Sequence, residues 1–115
     1  MAQSQPATRQ RIETTAGRKV FVRSKSLLVS SAVVEDKLLK QREFQQLGLV
    51  ITRDVDDADI VLELRHDVLT KYVFTVVEVK TRTVVAGGKL SSLGGTVADK
   101  VARRFVKEMS GMKSP

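Results

Sequence analysis

From residue 58 to residue 64 the chain reads Ala-Asp-Ile-Val-Leu-Glu-Leu, and Ile60, Leu62 and Leu64 alternate with Asp59, Val61, Glu63 and Arg65. Side chains of a strand point to opposite faces in turn, so three aliphatics fall on one face and mostly charges on the other. The pattern predicts a half-buried strand. A second β-rich run covers 72–80 after a short polar break, a third covers 83–90 after a brief turn, and the three predict a meander.

Upstream, residues 19–23 alternate with Val20 and Val22 opposite Phe21 and Arg23, which predicts a first strand that Leu27, Leu28 and Val29 extend. Ser30 or Ser31 can accept a hydrogen bond from the free amides of a following helix. Glu35 and Asp36 then fall in its first turn, where the helix dipole favours negative charge. Val33, Val34, Leu38, Phe44 and Leu47 form its apolar side, with Lys37, Lys40 and Gln41 intruding. Gly48 is the expected stop, and Leu49, Val50 and Ile51 form a second strand running into Arg53 and Asp54. Strand, helix and strand in this order make a crossover that places the helix over one face of a shared sheet.

The last helix has the clearest periodicity. Val97, Ala98, Val101, Ala102, Phe105, Val106 and Met109 recur at helical spacing, Thr96 can cap it with Asp99 three residues on, and Gly111 is the expected end. The predicted fold class is α+β, a two-layer sandwich whose elements run strand, helix, four strands, helix, with a mixed sheet and both helices on one face. Residues 1–17 hold one large aliphatic, Ile12, and are expected to be a flexible tail. A single domain covers 18–110, and 111–115 form a flexible C-terminus.

Composition narrows the function classes. A chain of 115 residues fits one domain with one core, and an aromatic content of 4% means that Val, Leu and Ile must build it. With no Cys there is no disulfide, thiolate zinc site, cysteine nucleophile or thiol-linked lipid in these residues. A formal charge of +7 favours anionic partners, although charge spread along a chain also serves as a solvated surface. No apolar run approaches the roughly 18 residues that span a bilayer, and none stands at the amino terminus as a signal, so a soluble protein is expected. The opening Ala2-Gln3-Ser4-Gln5-Pro6 reads as what remains after removal of a secretion signal.

Four groups of residues have the chemistry of candidate sites. Asp54, Asp56, Asp57 and Asp59 crowd one loop, but a calcium loop starting at Asp54 needs Gly where Asp59 stands and Glu where Arg65 stands, so no metal is expected there. His66 is the single histidine and has no partner at a catalytic spacing. Gly87-Gly88 and Gly94-Gly95-Thr96, near Lys89 and Lys100, form neither a Walker loop nor a dinucleotide fingerprint and read as bends between sheet and helix. Lys100, Arg103, Arg104 and Lys107 lie opposite the last helix's apolar face, a basic stripe that can track an anionic surface. Aromatics for base stacking are missing, so nucleic-acid binding there is expected to be weak and non-specific.

The sharpest enzymatic pattern is Glu78-Val79-Lys80 with Asp59 or Asp67 upstream. Strand alternation places Glu78 and Lys80 on one face, where two carboxylates can hold Mg²⁺ and the lysine can position water. The pattern resembles the Asp, Glu-x-Lys motif of restriction-endonuclease-like nucleases. In those enzymes the Glu-x-Lys strand feeds a helix, whereas 83–90 here reads as a returning strand.

The order of elements from Lys19 to Met109, with Ala58-Asp59-Ile60-Val61-Leu62 following a Leu-Val-Ile strand and Val97-Ala98-Asp99-Lys100-Val101-Ala102-Arg103-Arg104 in the last helix, resembles the amino-terminal domain of TolB and related bacterial envelope proteins. About four-fifths of the chain takes part. The resemblance implies a periplasmic or envelope-associated module, without catalytic residues or cofactors, that binds an envelope protein or supports its assembly through a sheet edge or a groove beside the helices. One departure stands out: Glu78 and Thr81 fit the hairpin pattern, but Arg82 occupies the place where Gly is expected for a positive φ. A metal-dependent nuclease and a basic nucleic-acid-binding module are the alternative readings.

Overall fold

The computed structural model describes residues 17–113. The chain runs β1 (Lys19–Ser24), α1 (Ser31–Leu39), α2 (Arg42–Gln46), β2 (Val50–Ile51), a single 3₁₀ turn (Val55–Asp57), β3 (Ile60–His66), β4 (Lys71–Glu78), β5 (Thr83–Ser91) and α3 (Val97–Lys113). Five strands form one mixed sheet in the order β2-β1-β3-β4-β5. β1 pairs in parallel with both β2 and β3, and β3, β4 and β5 pair antiparallel as the expected meander. The two-layer α+β architecture read from the sequence is the one present. Of the expected 1–17 tail only Gly17 is described, and residues 114 and 115 also lie outside the described part.

Alternation decides the layers. Paired rows across the sheet, Val22 with Leu62 and Val76, then Leu64 with Phe74, place aliphatics and one aromatic on the face that the helices cover. Every apolar position assigned to the last helix is buried, and Phe105 meets Phe44 with ring centroids 6.5 Å apart. Burying such a set supplies most of the stabilisation of a domain this small, at about 25 cal/mol per Å² of apolar surface. Thr96 caps α3 as expected, accepting a hydrogen bond from the amide of Asp99 at 3.2 Å.

Four local expectations are corrected. The single helix expected up to Gly48 is two, because Gln41 adopts an extended conformation between α1 and α2. The break resets the helical phase, so that Phe44 and Leu47 enter the same core as Val34 and Leu38, while Val33 stays exposed. Ser30 caps α1 through its hydroxyl, which leaves Glu35 in the second turn, buried and held by Arg53 at 2.9 and 3.2 Å. Leu27, Leu28 and Val29 do not extend β1, which ends at Ser24; a loop follows in which the Ser24 hydroxyl donates to the Val29 carbonyl. Gly48 does stop the second helical segment in the left-handed region, at φ 75°. Gly111, in contrast, keeps a helical backbone and α3 continues to Lys113, since a glycine ends a helix only where it turns to positive φ.

The opposite face of the sheet carries no helix among the described residues. Phe21, Val61, Val77 and Val84 pair in one row across four strands on that side, followed by Arg23, Glu63 and Thr75. β5 has an irregularity against β4, Val76 opposing Ala86 and Val77 opposing Val84, which leaves Val85 as the extra residue of a bulge.

Candidate functional site

At the start of β3, the side chain of Asp59 accepts a hydrogen bond from the amide of Lys19 at 2.8 Å, and its carbonyl accepts one from Val79 at 3.0 Å. Asp57 pairs with the Lys19 ammonium at 2.7 Å, and Asp54 caps the 3₁₀ turn through the amide of Asp56. The hydrogen bond that the Lys19 ammonium donates to Asp57, together with the Asp57 charge, holds it above its usual pKa. Among the described residues no three His, Cys, Asp or Glu side chains gather as a metal would need.

The residues proposed for a nuclease separate. Register places Glu78 opposite Ile60, next to Asp59, whereas Asp67 follows the far end of the seven-residue strand β3, roughly 23 Å away at about 3.3 Å per residue. Both oxygens of Glu78 are engaged: Arg18 binds Oε2 at 3.2 Å, and the Thr81 hydroxyl donates to Oε1 at 2.8 Å. β4 ends at Glu78, so Lys80 sits in the turn and not on the same strand face. Arg82 closes that turn, its amide bonding the Val79 carbonyl at 3.2 Å and its φ at 56°, the positive value its place in the pattern demanded. The following strand pairs back on β4, giving a hairpin and no helix after the Glu-x-Lys run.

The basic residues of α3 do come together. Lys100, Arg103, Arg104 and Lys107 line a cleft of about 280 Å³ beside Leu90 of β5. Lys100 reaches back to donate to the carbonyls of Ser91, at 2.5 Å, and Leu93, fixing the β5–α3 connection. Arg103 pairs with Asp99 one turn earlier, at 3.3 Å. The Arg104 guanidinium lies 5.3 Å from the centre of the Phe74 ring, and Gly88 makes room for it: a methyl group there would stand 2.5 Å from Arg104 Nη2. Lys107 is exposed and makes no ion pair among the described residues. The stripe therefore combines two structural cations, one stacked arginine and one free lysine.

Through Leu90, this cleft adjoins the border strand of the sheet. β5 is the last strand of the sheet and, at nine residues, the longest, and no strand among those described pairs with its outer edge. Sequence reading located the four cations through their helical spacing but not their proximity to an open strand edge. Only the strand order makes that visible. Gly87 and Gly88, read as a bend between sheet and helix, instead lie within β5, and Gly88 sits opposite Phe74 where the Arg104 side chain descends.

No family model matches the chain, and no curated protein matches it. Among solved structures, a PelC dodecamer from Paraburkholderia phytofirmans is similar with a TM-score of 0.44 and 13% identity, over 86% of this chain and 88% of that one. No helix among the described residues is long and apolar enough to cross a membrane.

Proposed function

We propose that the chain is a non-enzymatic protein-binding or assembly domain of the bacterial envelope, and that its binding surface is the open edge of β5 together with the cationic cleft of α3. The envelope placement rests on the TolB-like order of elements. The observation that carries the binding reading is the juxtaposition of a nine-residue border strand, whose outer edge pairs with no strand among the described residues, with Lys100, Arg103, Arg104 and Lys107. An extended segment can add to such an edge through main-chain hydrogen bonds, and acidic side chains on that segment would face the cleft. The partner is thus an extended acidic stretch of an envelope protein.

A labelled peptide alternating Val and Glu tests this by fluorescence anisotropy combined with hydrogen exchange. Binding should protect amides of β5, and Arg103→Glu with Lys107→Glu should weaken it by about tenfold or more, as expected for two reversed charges at a partly desolvated site. Binding that leaves β5 exchange unchanged, or no binding at physiological salt, refutes the proposal. Incubation with DNA and Mg²⁺ should give no cleavage; cleavage abolished by Glu78→Gln in a folded protein would replace this reading with the nuclease one.

A further inference from the structure

β1, β3 and β5 run in the same direction, so the connections that follow them share one end of the sheet. These connections carry an unusual set of side chains. Leu27 and Leu28 stand on the first, Val68 and Leu69 on the second and Leu93 on the third, and all are exposed, Leu27 by 104% and Leu69 by 88% of full accessibility. Isolated exposed aliphatics are ordinary, but five on three adjoining tips are a patch that asks for a partner.

The tips are built to hold those residues outward. Ser24 and Ser26 brace the first loop, the Ser24 hydroxyl donating to the carbonyl of Val29 and accepting from the Ser26 amide at 3.3 Å, and the Ser26 hydroxyl accepting from the Leu28 amide at 3.1 Å. In the second, Leu69 takes a left-handed backbone at φ 49°, and His66 Nε2 donates to its carbonyl at 2.5 Å while the imidazole packs on Tyr72. Left-handed backbone costs a branched residue about 1 to 2 kcal/mol, and Asn or Gly would fill that turn without it. Leu69 recovers none of this by burial within the chain. In the third, Gly94 and Gly95 follow Leu93, both at positive φ, and Lys100 ties the Leu93 carbonyl. A groove of about 510 Å³ opens at this end between the Leu27–Leu28 loop and the start of α3, floored by Val29, Tyr72 and Val97.

Cations stand behind the same tips. Lys25, Arg65 and Lys71 lie there, with Glu63 paired to Lys25 at 3.4 Å and Asp67 as the acid of the turn, whereas the acids of the opposite end, Asp54, Asp56, Asp57, Asp59 and Glu78, stand among Arg18, Lys19, Lys80 and Arg82. Protruding aliphatics in front of a cationic rim match the interface of an anionic bilayer, where leucines enter the acyl boundary and lysines meet headgroups.

We infer that this end of the domain docks on an anionic lipid surface, with Leu27, Leu28, Val68, Leu69 and Leu93 inserted and Lys25, Arg65 and Lys71 against the headgroups. The side chains rise from three separate tips, two, two and one, which suits a fluid acyl region better than the flush contact of a rigid protein partner.

Sedimentation of the full chain with vesicles tests this. Binding is expected to vesicles of phosphatidylcholine mixed with phosphatidylglycerol, and to be far weaker on pure phosphatidylcholine. The combined variant Leu27→Ser, Leu69→Asn, Leu93→Ser should keep or raise its urea midpoint, since all three side chains are exposed and Asn relieves the left-handed turn at 69, and should lose about tenfold or more in affinity. Arg65→Ala with Lys71→Ala should lose about tenfold at low salt and less as salt screens the surface. Three results overturn the inference: no binding to the mixed vesicles; binding that the leucine variant leaves intact, which means adsorption by charge alone; or self-association without lipid that the leucine variant abolishes, which makes a second copy the occupant.

Discussion

Phe105→Ala is the most direct probe of how the two layers are held. Phe105 is fully buried at the middle of α3, over the sheet, and its ring tilts 43° against that of Phe44, the residue that the α1–α2 break delivers to the core. Truncating a buried Phe to Ala costs about 3 to 5 kcal/mol through lost transfer energy and the cavity left behind. The ring pair adds roughly 0.5 to 1.5 kcal/mol that the single change also removes. A domain of this size has a total stability of about 5 to 15 kcal/mol, so the variant keeps a fraction of it at most. The chain has one Tyr and no Trp, which makes far-UV circular dichroism the appropriate readout of urea unfolding. With a slope of about 1 to 3 kcal/mol per molar, the midpoint should fall by roughly 2 M. Lys107→Ala, two residues away on the solvent side, should move it by less than about 0.5 kcal/mol. In a double-mutant cycle, Phe44→Ala and Phe105→Ala should couple by roughly 1 kcal/mol. Equal small shifts for Phe105→Ala and Lys107→Ala would refute the helix orientation, and a zero coupling would refute the ring contact.

Arg82→Gly should raise stability by about 0.5 kcal/mol, because relief of a left-handed non-glycine backbone outweighs the added freedom of the unfolded chain; a lower urea midpoint contradicts this. Arg53→Ala should lower stability by about 1 kcal/mol, since it strips the partner from the buried Glu35 carboxylate while Arg53 itself stays in solvent; Arg53→Ala combined with Glu35→Gln should recover part of the loss in the same denaturation assay. The Lys19 pKa is raised in the folded state, so whatever stability the Lys19–Asp57 pair confers is present below the ordinary lysine pKa and lost as pH climbs through the raised one; the difference in midpoint between wild type and Asp57→Asn should shrink above about pH 10.5, and a difference that grows there contradicts the assignment.

The sheet and α3 were legible because their burial is periodic. Ile60, Leu62 and Leu64 alternate, and the seven apolar residues of α3 keep one helical phase, so local pattern and final packing agree. The segment between β1 and β2 was not. Val33, Val34, Leu38, Phe44 and Leu47 fit one broad helical side, and nothing in their spacing marks the extended Gln41 that splits it. Leu27, Leu28 and Val29 resemble strand by composition, yet the serine hydroxyls at 24 and 26 bond the nearby backbone and fold the run into a loop. At the site, helical spacing predicted the four cations of α3, while the division of labour among them depends on strand order. Lys100 serves two carbonyls and Arg104 the Phe74 face because β5 passes beneath α3.

The two borders of the sheet are unequal. Among the described residues, β2 covers one side of β1 over two residues and leaves 21–24 beyond it, and β5 borders the other side with nine. A two-residue border offers an incoming chain too few main-chain hydrogen bonds to offset the entropy of association, whereas the longer one offers a full ladder. A molecule with two adhesive borders would link end to end without limit. With a single long one, when another strand has been added to β5, the far side of the described sheet offers only short stretches to propagate it. The same inequality favours strand addition on the β5 side over the β2 side and so works against growth into a fibre.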